Sequence, residues 1–136
     1  MWFSKSLKPS PKKQKPLILL VDDEIQNIAL LRSNFENEGY RVEFATDGVS
    51  GGKMALDLQP DLIVSDVFMP GVDGLSMIEG IKEQPTPMVK VPVIFLSGRA
   101  VENFLPKSKD PEVKFALLKK PVFLPELNDL VRKFLS

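Results

Sequence analysis

Three aspartates, one serine and two lysines have side chains that can do chemistry, and each directly follows a short apolar run. Asp22 and Asp23 follow "LILLV" at 17–21, Asp66 follows "LIVS" at 62–65, Ser97 follows "VIFL" at 93–96, and Lys119 and Lys120 follow "FALL" at 115–118. Taken singly, each has an ordinary explanation. An Asp before a helix caps it, a serine at a strand end bonds backbone, and a lysine sits in solvent. As a set they read differently. Three carboxylates brought together repel one another and lose hydration, a cost that calls for a cation. A hard divalent ion bound by oxygens supplies that charge, and Mg²⁺ uses one or two carboxylates while leaving room for phosphate oxygens. Carboxylates also act as nucleophiles that form aspartyl phosphates. The pattern therefore points to phosphoryl chemistry, with a lysine to hold the added negative charge and Ser97 to donate a hydrogen bond to it.

The elements that must gather these residues can be read from the same runs. Apolar runs of four or five residues, with a more alternating "RVEFA" at 41–45, suit strands of a parallel sheet covered on both faces. Between them lie helical spacings: Ile28, Leu31 and Phe35 before Gly39; Met54, Ala55 and Leu58 before Pro60; Ile78 and Ile81 after Gly74; and Leu127, Leu130, Val131 and Phe134 at the end. Strand then helix, five times over, makes an open α/β sheet with helices on both faces. Ligands bind such sheets outside the carboxyl ends of the strands. All the residues above fall at those ends. Asp66 ends the strand expected at the sheet centre, which makes it the acceptor and leaves Asp22 and Asp23 to hold the metal.

Composition excludes other chemistries. With no cysteine and no histidine there is no disulfide, thiol nucleophile or imidazole. The first 16 residues carry five lysines, three prolines and no acid, and are expected to form a flexible tail ahead of one domain at 17–136. Removing the tail leaves 13 basic against 18 acidic residues, a balance that argues against nucleic-acid binding by the folded part. No apolar run is long enough to span a membrane and the start lacks the apolar centre of a secretory signal, so the expected compartment is the cytoplasm.

"LILLVDDE", "LIVSDVFMPGVDG", "VIFLSG" and "LLKKP", in this order, resemble the signature segments of receiver domains of bacterial two-component response regulators. The resemblance covers 17 to about 136. It implies a flavodoxin-like five-stranded sheet of order 2-1-3-4-5 and phosphoryl transfer to Asp66 from a histidine kinase or phosphotransfer protein. It also implies Mg²⁺ held by Asp23, Asp66 and the Phe68 backbone carbonyl, with Asp22 acting through water. By the same match Ser97 is the switch hydroxyl, Lys120 rather than Lys119 is the phosphate-binding lysine, and Lys120–Pro121 is a cis peptide.

This sequence departs from that pattern in places. Leu117 stands where a switch aromatic is usual, and Pro106 and Pro111 fall where a helix between the fourth and fifth strands is usual, so 99–114 is expected to be mobile and partly non-helical. Phe68 is bulky for its position. It also occupies the place where a dehalogenase-type phosphatase would carry a second aspartate, and no G-x-x-x-x-G-K-[ST] loop is present for a nucleotide hydrolase. Two readings remain: a phosphorylation-switched module without enzymatic turnover, signalling to an unknown downstream protein by contact with no room for an output domain, or a receiver-like interaction module that no longer switches.

Overall fold

The three inner strands are five-residue runs in which every side chain is buried: β1 (Leu17–Val21), β3 (Leu62–Asp66) and β4 (Val93–Ser97). The outer strands β2 (Arg41–Ala45) and β5 (Phe115–Lys119) are less covered; β2 alternates accordingly, while β5 keeps an apolar run whose side chains are only half-buried. All pairings are parallel, in the order β2-β1-β3-β4-β5. The computed structural model of the chain describes residues 14–101, 103, 105, 106 and 112–136. The expected apolar runs form these strands, and β3, β4 and β5 each extend one residue further to take in Asp66, Ser97 and Lys119.

Helices cover both faces. Side chains alternate across each strand, so Ile18, Leu20, Val64, Ile94 and Leu96 meet α1 (Ile25–Asn37) and α4 (Leu124–Leu135), through Leu31, Phe35, Leu127 and Val131. Leu19, Val21, Ile63 and Phe95 turn the other way, onto α2 (Gly48–Leu58) and α3 (Gly74–Lys82), through Ala55, Met77, Ile78 and Ile81. Leu58 does not share the buried face of α2 and is 43% exposed. Asp47 and Asp73 cap α2 and α3 by accepting from the N–H groups of Ser50 and Ser76, each at 2.8 Å. Such caps contribute about 1 kcal/mol. A short 3-10 turn (Pro87–Lys90) follows α3, and Lys82 Nζ donates to the carbonyl of Val89 at 2.6 Å across it. Across the other face, Asn34 on α1 and Asn128 on α4 exchange side-chain amide bonds at 2.8 and 3.1 Å.

The strand-then-helix order holds through α3 and, among the described residues, fails once. Four α-helices are present among the described residues, and none lies between β4 and β5. Pro106 stands outside any helix there, as a residue without a backbone donor would. Pro111, with 102, 104 and 107–110, lies outside the described residues. So do residues 1–13 of the expected tail, whereas the carbonyls of Lys15 and Pro16 accept from Arg41 Nε and the Arg41 backbone N–H, both at 2.9 Å.

One close approach fixes the end of the central strand. A Cβ on Gly74, the first residue of α3, would stand 2.2 Å from the Asp66 carbonyl oxygen and 2.9 Å from Ser65 Oγ. No side chain fits there without moving backbone. Gly74→Ala is expected to destabilise the domain by at least the roughly 1–3 kcal/mol of an overpacked site; a denaturant titration that leaves the midpoint at the wild-type value would disprove the close contact.

Candidate functional site

The carboxyl ends of the inner strands lie level because of their register, in which Val21 pairs with both Ala45 and Ser65, Asp66 with Leu96, and Ser97 with Lys119. Beyond the strands the backbone remains tied: Val67 N–H donates to the Leu96 carbonyl at 3.0 Å, Gly74 N–H to Val67 at 2.8 Å, and Lys120 N–H to Ser97 at 2.8 Å. The side chains that emerge here are thus held by a hydrogen-bonded rim.

Asp22, Asp23 and Asp66 meet on that rim, and each offers a carboxylate oxygen within 4.8 Å of the others. Asp22 and Asp66 are almost fully buried, at 3% and 6% exposure, while Asp23 is open to solvent. Asp22 is not the helix cap it resembled. Glu24 stands at that position without a side-chain cap bond, and Asp22 Oδ1 accepts from the Glu24 N–H at 2.9 Å. Its Oδ2 accepts from Asn27 Nδ2 at 3.4 Å.

Of the two candidate lysines, Lys120 reaches the cluster. Its Nζ lies 3.0 Å from Asp66 Oδ2, and the Lys120–Pro121 peptide is cis. Lys119 is exposed. Burial pushes the Asp66 carboxyl above the usual carboxylate range; Lys120 pulls against this by hydrogen bond and charge, and the negative charges of Asp22 and Asp23 add to it. Desolvation outweighs the ion pair.

Ser97 is wholly buried at the end of β4, but its hydroxyl is engaged with the next turn. Oγ donates to the Arg99 carbonyl at 2.9 Å and accepts from the Arg99 N–H at 3.0 Å. Phe68 lies in the turn after Asp66, 44% exposed, with the Arg99 guanidinium 4.7 Å from its ring centroid. Asn27 and Arg99 were not singled out from sequence. Only the register of α1 and the path of the turn after Ser97 place them at the site, and neither is written in residue type.

The donor set suits a hard cation. All three side chains offer oxygen only, two of them are desolvated, and together they bring three negative charges against one lysine, the imbalance that Mg²⁺ at a partly hydrated site corrects. The acidic crevice and its lysine lie at the carboxyl ends of a five-stranded doubly wound sheet, where α/β proteins of this class bind their ligands. The response regulator receiver domain family matches residues 18–132, and the chain belongs to that family, the receiver modules of two-component signalling. The response regulator PleD of Caulobacter vibrioides is 36% identical over 111 residues, covering 73% of this chain and 24% of PleD. RpaA of Synechocystis, described as a DNA-binding dual master transcriptional regulator, is 37% identical over 83 residues, 61% of this chain and 34% of RpaA. The chain thus spans about a third or less of these relatives. Among solved structures, the receiver domain of the sensor histidine kinase PA1611 from Pseudomonas aeruginosa, with a magnesium ion in its active-site cleft, aligns with a TM-score of 0.75 at 27% identity over 89% of this chain and 98% of that one.

The raised Asp66 pKa has a sign that can be checked. A carboxyl whose pKa is higher folded than unfolded binds more protons in the native state, so its contribution to stability falls as pH rises from the ordinary carboxylate range through the raised value. In chelator-treated protein, Asp66→Asn is expected to melt above wild type at neutral pH, and the gap should close on acidification below the ordinary carboxylate range. A gap that is absent at neutral pH, or that widens in acid, would contradict the assignment of burial as the dominant cause.

Proposed function

We propose that Asp66 is the phosphoryl acceptor of this receiver domain and that Mg²⁺ is held by Asp23 and Asp66 directly, by the Phe68 backbone carbonyl, and by Asp22 through water. Receiver domains are phosphorylated by histidine kinases or phosphotransfer proteins, and such a protein is the donor proposed here. An oxygen of Asp66 attacks phosphorus, the bond from phosphorus to the donor imidazole nitrogen breaks, and the imidazole leaves with its electron pair. Mg²⁺, when bound, neutralises charge on the phosphoryl oxygens. Lys120 then faces an acyl phosphate with about two negative charges in place of a single carboxylate, and Ser97 supplies a hydroxyl donor. Asn27 holds Asp22 in place. The observation that carries this reading is the grouping of three carboxylates within 4.8 Å, one of them buried and 3.0 Å from Lys120.

The domain is read as a signalling module that acts through contacts with a downstream protein and does not turn over substrate. The excess of acidic over basic residues in 17–136 supports contact with protein over nucleic acid. Leu117 favours a second reading, a module that binds partners without switching, since it is half-buried against the core opposite Phe95 and has no ring to reorient.

Incubation with Mg²⁺ and acetyl phosphate is expected to add one phosphoryl mass to the wild type and none to Asp66→Asn. Asp23→Ala is expected to weaken Mg²⁺ binding and labelling together, whereas Lys120→Ala spares the metal and blunts the conformational response to phosphate. Equal labelling of Asp66→Asn sinks the acceptor assignment, and unaltered Mg²⁺ affinity in Asp23→Ala sinks the metal assignment. Labelling of wild type with no change in amide hydrogen exchange would favour the non-switching module.

A further inference from the structure

Two turns flank Asp66, one running from Val67 and the other from Gly98, and they touch where the Arg99 guanidinium lies 4.7 Å from the ring centroid of Phe68. A cation over a ring face is a real but modest attraction at an exposed site. Its position is set from below. The wholly buried Ser97 clamps the Arg99 backbone with one hydroxyl, which donates to the carbonyl at 2.9 Å and accepts from the N–H at 3.0 Å.

A serine hydroxyl has a single proton to give. While that proton is held by the Arg99 carbonyl, Ser97 cannot donate to a phosphoryl oxygen. The seat of Arg99 on Phe68 and the proposed contact of Ser97 with phosphate therefore compete for the same hydrogen.

We propose that phosphorylation of Asp66 unseats Arg99 from Phe68. The Ser97 hydroxyl turns from the Arg99 carbonyl to the phosphoryl group, the turn at Gly98 and Arg99 loses its clamp, and the stack opens. The added negative charge at Asp66 draws the released guanidinium in the same direction. Phe68 is uncovered, and the aromatic whose environment changes lies in the turn after β3, whereas Leu117 on β5 keeps its place in the core. Arg99 and Phe68 are the bistable element that a phosphate switch needs for a readout. This inference rests on the reading of Asp66 as acceptor, and the test separates the two.

A proton above an aromatic face resonates upfield, so the Hδ protons of Arg99 report the stack. There are four arginines in the chain, and Arg99→Lys identifies the signal by its loss. In free wild type the Arg99 Hδ resonance is expected upfield, and in free Phe68→Leu that displacement should be gone. Addition of Mg²⁺ and beryllofluoride, a phosphoryl mimic, should give a bound ¹⁹F resonance and abolish the displacement in wild type. In Ser97→Ala the displacement should already be reduced before the mimic is added. A bound ¹⁹F resonance with Arg99 unmoved overturns the unseating while leaving Asp66 as the acceptor. Failure of any bound ¹⁹F resonance to appear overturns both. A Ser97→Ala protein with the full displacement, lost only on beryllofluoride, overturns the hydroxyl as the link and leaves charge alone.

Discussion

The desolvated carboxylate of Asp66 is the constraint around which the rest of this molecule is arranged. A buried anion is tolerated only with a partner and with hydrogen bonds that hold the partner in place, and here the partner is a single lysine at 3.0 Å. That lysine comes from the far side of β4, so the pair exists only if β3, β4 and β5 keep register to the residue. The Lys120 N–H on the Ser97 carbonyl and the Val67 N–H on the Leu96 carbonyl carry that register past the strands themselves. Even so, burial prevails and the carboxyl is held above its ordinary range. The site is an unbalanced one, short of positive charge, and therefore suited to a cation.

Holding such a site open needs rigidity behind it. The Asp66 carbonyl accepts from the Ser65 hydroxyl at 2.8 Å, and α3 begins so near that only hydrogen fits on Gly74. On the opposite face the paired amides of Asn34 and Asn128 join α1 to α4. A rigid strand thus carries Asp66 and Lys120 directly follows one, while Phe68 and Arg99 stand in turns.

Much of this was legible in the sequence because two-sided burial imposes a simple rule on strand composition. "LILLV" and "VIFL" are apolar throughout, and "LIVS" in all but Ser65, because helices cover both sides, and their carboxyl ends announce the site. The strand order followed from the family resemblance, and the structure has it. What could not be read was set by geometry rather than residue type. Leu58 has the spacing of a buried residue but lies beyond the point where α2 faces the sheet. Asp22 looked equally like a cap and a ligand, and only the backbone shows its bond to the Glu24 N–H, outside the helix. The bond of the Ser97 hydroxyl to Arg99, a partner two residues on, is likewise marked by no periodicity.

The outermost strands bear on a different property. Unpaired strand edges invite pairing with other chains, and natural sheets blunt them with charge and proline. On β2 the exposed side chains include Arg41 and Glu43, and Arg41 is already bonded to the chain at Lys15 and Pro16. β5 is bracketed by exposed Lys114 and Lys119 and followed by Pro121. Edge-to-edge growth into a continuous sheet is thereby disfavoured at both margins, and aggregation by strand addition would have to overcome charge on one side and charge with proline on the other.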